Sequence, residues 1–78
     1  MDLGDIIRQH REARRLTRAQ LALLAPLWTE DRLKHVEAGT TTPQAHALQQ
    51  LVDLLDLPAD KVRHALRVQA SNKGRGNA

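Results

Sequence analysis

The histidines and carboxylates are the side chains of this 78-residue chain that suit metal binding or acid–base catalysis, and their spacing favours neither. No two of the four histidines have metal-ligand spacing with a nearby carboxylate, and the chain has no cysteine. There is no glycine-rich phosphate loop and no Ser–His–Asp arrangement. The carboxylates are dispersed, and so small a domain offers little cleft in which to tune them. We therefore expect a protein that is not an enzyme and uses no metal and no cofactor.

Basic side chains lie towards both ends of the sequence, where they could contact phosphate. Arginine is preferred over lysine, nine to three, and the formal net charge is +3. Five arginines fall within residues 1–24 and five lysines or arginines follow Leu57, whereas residues 29–56 are acidic overall. Basic flanks around an acidic centre suit phosphate contacts on either side of a binding face. At this modest net charge, an ordinary solvated surface is the alternative.

Helices must position these residues, because apolar side chains recur at helical spacing and strand-favouring residues never alternate with polar ones. We expect one all-α domain over residues 1–68 and a disordered basic tail at 69–78. The predicted helices span about residues 2–15, 17–25, 29–38, 43–56 and 58–68. No apolar run approaches the roughly 20 residues needed to cross a bilayer, and no secretion signal is recognisable, so a cytoplasmic location is the default expectation.

Capping residues mark where the predicted helices begin and end. A side-chain oxygen at a helix start accepts a bond from an exposed backbone N–H, which predicts starts at Asp2, Thr17, Thr29 and Thr42. Gln20 is placed to complete a capping box with Thr17, and Pro43 suits the first helical turn after Thr42. Pro26 interrupts the chain after the second helix, and Gly39 predicts a left-handed end to the third.

The same spacing predicts which faces point inward. The stripe of the first helix consists of Leu3, Ile6, Ile7, His10 and Ala13. The residues expected opposite this stripe are Arg8, Arg11, Glu12 and Arg15. The inner face of the second helix is formed by Leu21, Leu24 and Ala25. The apolar positions of the fourth helix are Ala47, Leu48, Leu51, Val52, Leu54 and Leu55.

Two short capped helices joined by a tight connection, at 16–25 and 29–39, are typical of a helix-turn-helix. The matching register runs through residues 3–8, 11–14, Leu16-Thr17, Leu21-Ala22, Leu24-Ala25, Leu33, 36–39, Thr42-Pro43, Leu48, Leu51, Leu54-Leu55 and Leu57. Over about residues 3–66 the chain resembles the lambda-repressor-like (xenobiotic-response-element type) helix-turn-helix family of bacterial and phage regulators. Its most diagnostic part is Glu37-x-Gly39 with Pro43.

The resemblance implies a five-helix, sequence-specific DNA-binding transcriptional regulator that forms a homodimer on a palindromic operator, with the helix at 29–38 in the major groove. It leaves open whether the regulator is a repressor or an activator. The implied DNA contacts are Thr17, Arg18, Thr29, Glu30, Asp31, Arg32, Lys34, His35, Thr40 and Thr41. The implied dimer contacts, expected to be partly exposed, are Leu57, Val62, Leu66 and Val68.

Three departures from the family pattern leave a second function open. The connection at residues 26–28 is one residue longer than the usual turn, Arg18 replaces a common glutamine, and the recognition helix opens with Glu30 and Asp31. Carboxylates can accept from cytosine N4 but repel phosphates, and they also stabilise the first turn of any helix. The alternative is an antiactivator or antitoxin-like protein-interaction module whose acidic helix binds another regulator. Trp28 either packs into the longer turn or stacks against a partner.

Overall fold

The computed structural model describes residues 2–76, and for residues 2–68 it also describes the surroundings of the side chains. The described part of the chain contains five α-helices and no strand. The helices are α1 (Leu3–Ala13), α2 (Arg18–Leu24), α3 (Glu30–Glu37), α4 (Ala45–Leu55) and α5 (Ala59–Gly76). The predicted all-α, five-helix architecture is confirmed. None of the described helices is long and apolar enough to cross a membrane.

Side-chain caps hold the starts of the first three helices where the sequence predicts them. The Thr29 hydroxyl accepts from the backbone N–H of Arg32 at 3.1 Å, and Asp2 caps α1 in the same way. Thr17 and Gln20 form the predicted capping box, with donor–acceptor distances of 2.9 and 3.0 Å. These predictions are confirmed because a cap depends only on residues that are close together in the sequence.

The segment between α3 and α4 agrees with the sequence at its start and differs at its end. Gly39 has a φ of 81°, so the left-handed end of α3 is confirmed. The predicted cap at Thr42 with Pro43 in the first helical turn is wrong. Gln44 takes the N-cap position and α4 begins at Ala45. Pro43 is buried ahead of the helix, and helical geometry starts only after Gln44, whose backbone is extended.

The fifth helix is longer than the predicted segment, since α5 continues past residue 68 to Gly76. Its first turn contains Asp60, whose negative charge interacts favourably with the positive end of the helix dipole. The surroundings of side chains 69–78 lie outside the described part, as do residues 77 and 78 altogether. The disordered basic tail at 69–78 therefore stays a prediction.

The core is aliphatic apart from one tryptophan. Its most deeply buried side chains are Leu3, Ile7, Leu21, Leu33, Leu51 and Leu55. Helix α1 packs against α3, α4 and α5, while α2 packs against α3. The prediction that Leu24 points inward is wrong, because it is exposed, and Leu54 in the apolar stretch of α4 is exposed as well. Each lies about 60° around its helix from the buried leucine three residues earlier, on the flank of the buried stripe.

Candidate nucleic-acid interface

The connection between α2 and α3 is a fixed turn anchored to α4. Trp28 is buried, and its indole Nε1 donates to the carbonyl oxygen of Ala47 at 2.7 Å. The backbone N–H of Leu27 donates to Oε1 of Gln50 at 3.0 Å. The expectation that Trp28 packs within the longer turn is confirmed. Because these bonds reach α4, the turn holds α3 in one orientation relative to the rest of the domain.

Arg32, the third residue of α3, folds back over this turn. Its Nη1 donates to the carbonyl oxygen of Leu27 at 2.9 Å, and its guanidinium lies 5.5 Å from the centre of the Trp28 ring. That distance is within the range of a cation–π interaction. The positive charge of Arg32 is therefore held beside the turn.

One face of α3 is open to solvent. Its inner positions Leu33, Val36 and Glu37 are buried. The outer positions, all exposed, are Glu30, Asp31, Arg32, Lys34 and His35. Asp31 Oδ2 lies 3.8 Å from Nε2 of His35, a weak contact between two exposed side chains. The outer face thus offers carboxylates at its start and an ammonium and an imidazole one turn later.

A buried ion network joins the inner end of α3 to α1 and α2. The Glu37 carboxylate accepts two bonds from Arg11, from Nε to Oε2 at 2.8 Å and from Nη2 to Oε1 at 3.1 Å. Nε of Arg18 donates to Oε1 of Glu37 at 3.2 Å, and Nη1 of Arg11 donates to the carbonyl oxygen of Leu16 at 2.7 Å. The Glu37 side chain is only 2% exposed, whereas that of Arg18 is 40% exposed. One carboxylate therefore fixes three helices through one buried and one half-exposed arginine.

The hydrogen bond to Glu37 is the main cause that raises the pKa of Arg11 above its ordinary value. Burial acts in the opposite direction, and the negative charges of Glu37 and Glu12 add to the increase. Arg11 therefore stays a cation although it is buried.

Gly4 allows α1 to approach the end of α3. A Cβ atom at this position would lie 2.5 Å from the carbonyl oxygen of Glu37 and 2.7 Å from that of Val36. Both are backbone atoms, which cannot rotate aside as a flexible side chain would. A side chain at position 4 would thus push α1 and α3 apart.

Comparison with known proteins identifies the family. The family model described as a helix-turn-helix domain matches residues 2–65. The chain belongs to this helix-turn-helix domain family. No match was found among the curated proteins or among the solved structures. Helix-turn-helix domains are typical of DNA-binding proteins of transcription regulation and are typically not enzymes. Within the described residues, no group of His, Asp and Glu side chains could hold a metal ion.

The helix-turn-helix presents most of the predicted DNA contacts to solvent. The exposed ones are Thr17, Thr29, Glu30, Asp31, Arg32, Lys34, His35, Thr40 and Thr41, while Arg18 is half-buried. The Thr40 hydroxyl donates to the carbonyl oxygen of His35 at 3.0 Å, which places this threonine at the end of α3. The structure joins Arg18 to α3 through Glu37 and turns Arg32 towards the turn. Contact of any of these residues with DNA stays a prediction.

Sequence reasoning missed the residue that organises this surface. Arg11 was expected opposite the apolar stripe, and this is wrong because it is buried. A signal was present, since Arg11 follows Ile7 by four residues and therefore lies only about 40° from it around α1. Because Arg11 is charged, its place on the buried stripe is not predicted. Its partner Glu37 is 26 residues away in the sequence, so the ion pair is not predicted either.

Two of the four predicted dimer contacts are in the core. Leu57 and Val62 were expected to be partly exposed, and this is wrong because both are buried. Leu57 directly follows the left-handed Asp56 that ends α4, and its N–H donates back to the carbonyl oxygen of Val52 at 3.1 Å. This turn folds the Leu57 side chain onto its own helix. Leu66 is half-buried and Val68 is 43% exposed, so only these two offer surface to a partner.

Proposed function

We propose that this helix-turn-helix domain is a sequence-specific DNA-binding transcriptional regulator that inserts α3 into the major groove. The observation that carries the proposal is the combination of a fixed inner face and an open outer face on α3. The buried Glu37 and the anchored Trp28 hold the two ends of the helix, while its outer side chains are exposed. A rigid support that leaves side chains free to meet base edges is what direct readout requires.

Arg18 supports the proposal from the start of α2. It bonds Glu37 through Nε, and its half-exposed guanidinium has two further nitrogens that can donate to phosphate oxygens. Phosphate contacts of this kind fix the register of a protein on the duplex without reading its sequence. We therefore assign Arg18 to positioning, and Glu30, Asp31, Lys34 and His35 to the bases.

The test is duplex binding measured by fluorescence anisotropy over a series of salt concentrations, with the preferred sequence first selected from a random library. Arg18→Ala should weaken binding to every duplex and reduce the slope of log K against log salt by about 0.9. Arg8→Ala is the matched control, because Arg8 is an α1 arginine paired at 3.0 Å with Asp5 away from the turn. Absence of duplex binding at low salt would overturn the proposal.

We also propose that the regulator is a homodimer whose partner contact lies at α5 and the groove beside it. That groove, between α4 and α5, has a volume of about 290 Å³ and is lined in part by Val52, Arg63 and Leu66. Two copies with recognition helices about 34 Å apart would read a palindromic operator. Leu66→Lys with Val68→Lys should make the protein monomeric in sedimentation and weaken binding to the full palindrome more than to a half-site.

The acidic start of α3 favours a second candidate function, a module that binds a basic protein through this helix. Arg32 lies over Trp28, so its charge is directed to the turn, while Glu30 and Asp31 are exposed. The double change Glu30→Gln with Asp31→Asn separates the two functions. A changed sequence preference would mean that the carboxylates read bases. Uniformly tighter binding to every duplex would mean that they only repel phosphate, and it would favour the protein partner.

A further inference from the structure

Four exposed leucines surround the end of α2, the turn and the outer side of α4. These residues, which we call the leucine surface, are Leu23, Leu24, Leu27 and Leu54. Leu23 is 85% exposed and Leu24 is 55% exposed, unusual values for two consecutive leucines in a helix. Leu24, Leu27 and Leu54 line a single groove of about 390 Å³. Single exposed leucines need no explanation, but a cluster around one groove is typical of an interaction site.

The groove beside the leucine surface is held open by hydrogen bonds. Gln50 on its floor accepts from the backbone N–H of Leu27 at 3.0 Å, which ties the turn to α4. Gln49 donates to Oδ1 of Asp53 at 3.0 Å along the same wall. The bond from Leu27 to Gln50 fixes the turn relative to α4 in the folded domain. The groove is therefore formed before anything binds to it.

The groove beside the leucine surface is lined by one carboxylate, Asp53, and by no lysine or arginine. Arg32 lies at the edge of the surface, where it donates to the carbonyl oxygen of Leu27. The groove itself therefore offers no cation to phosphate. It suits an amphipathic helix with aliphatic side chains for the groove and a basic flank that faces Asp53.

We propose that the leucine surface is a docking site for a partner protein, bound through an amphipathic helix whose aliphatic face is flanked by lysine or arginine. A second copy of this chain fits poorly, because a two-fold contact through the same patch would bring Asp53 towards its own equivalent. Leu24 lies at the end of α2, whereas Arg18 is at its start. The proposal does not depend on DNA binding.

The probe is a synthetic helical peptide with leucines on one face and lysines on its flanks, compared with the same peptide carrying glutamates in place of the lysines. Binding to the full chain is followed by amide chemical-shift changes. We expect the lysine peptide to shift residues of the leucine surface and to bind at least about 10-fold more tightly than the glutamate peptide. Leu24→Gln with Leu27→Gln should weaken binding of the lysine peptide about 10-fold or more, since both leucines line the groove and their burial by the peptide is lost.

Two controls separate docking from folding and from charge in general. The double leucine variant should keep its thermal midpoint and its duplex affinity within about two-fold, because both side chains are exposed in the folded domain. Asp53→Asn should weaken binding of the lysine peptide several-fold. Asp60→Asn, the same change on α5, should leave that binding unchanged.

Four results would overturn the proposal. Equal binding of the two peptides would remove the role of charge, and shifts confined to the groove between α4 and α5 would place the site elsewhere. Conversion of a dimer to a monomer by the double leucine variant would make the occupant a second copy. Loss of duplex affinity in that variant would assign the leucines to DNA instead.

Discussion

Replacement of Glu37 by alanine tests whether one buried carboxylate holds α3 in place. The change removes both bonds from Arg11 and the bond from Arg18. Arg18 is half-exposed and can recover its hydration in water. Arg11, with a side chain only 9% exposed, is left as a buried cation that keeps the carbonyl oxygen of Leu16 as its partner.

The expected loss of unfolding free energy is about 3 kcal/mol, the usual consequence of removing one partner of a buried ion pair. A domain of this length has a total stability of roughly 4 to 12 kcal/mol. The loss corresponds to a fall in thermal midpoint of about 12 to 24 °C. Arg11→Ala should have a similar effect, because Glu37 would then be buried with only the half-exposed Arg18. Arg18→Ala should lower stability by less than about 1 kcal/mol.

Chemical denaturation followed by circular dichroism measures all three variants, and double-mutant cycles separate the two pairs. The coupling free energy between Arg11 and Glu37 should be about 2 kcal/mol or more, and that between Arg18 and Glu37 below about 0.5 kcal/mol. Replacement of the buried pair with apolar residues, Arg11→Met with Glu37→Leu, should recover much of the stability. The reasoning is refuted if Glu37→Ala lowers stability by less than about 1 kcal/mol, or if Arg18→Ala is as harmful as Arg11→Ala.

Three further changes test the frame around α3. Gly4→Ala should lower the free energy of unfolding by about 2 kcal/mol in denaturant titrations, because its Cβ would meet backbone oxygens at 2.5 and 2.7 Å. An unchanged free energy of unfolding would contradict this close approach of α1 to α3. Trp28→Phe should lower it by about 1 to 2 kcal/mol through loss of the bond to Ala47 and of packing, and an unchanged thermal midpoint would contradict the anchored turn. Arg32→Ala should leave duplex affinity nearly unchanged while Lys34→Ala weakens it, as measured by anisotropy; the reverse order would show that Arg32 leaves the turn to reach DNA.

The features that sequence reasoning predicts well are those set by neighbouring residues. The capping box of Thr17 and Gln20, the cap at Thr29 and the left-handed Gly39 are all determined within one helical turn. The number and order of the five helices were predicted from the match to the family pattern along the whole domain, since no single motif specifies them. The start of α4 is not predicted, since Pro43 is buried ahead of the helix and Gln44 takes the N-cap position.

The features that it misses depend on contacts across the fold. Leu24 and Leu54 have the spacing of core residues, yet the packing of short helices leaves them on the flank. Leu57 was compatible with a dimer contact because it is apolar and lies between two helices. The left-handed backbone of Asp56 instead directs the Leu57 side chain into the core. Arg11 carries a charge and is therefore expected at the surface, yet it lies within the buried stripe of α1. Helical spacing gives the direction of a side chain, but only the positions of the other helices decide whether that direction meets protein or water.

The position of Arg32 changes how the outer face of α3 should be understood. A count of charges on the outer face of the helix gives two acidic and two basic residues, Glu30 and Asp31 against Arg32 and Lys34. With Arg32 held against the carbonyl oxygen of Leu27 and the Trp28 ring, the end of the helix nearest the turn is negative, and Lys34 supplies positive charge one turn later. In the proposed complex, phosphate affinity then comes mainly from Arg18, outside α3, with a contribution from Lys34. The acidic side chains of α3 add little to the affinity, which makes Arg18→Ala the more sensitive test of binding and the Glu30–Asp31 pair the more sensitive test of specificity.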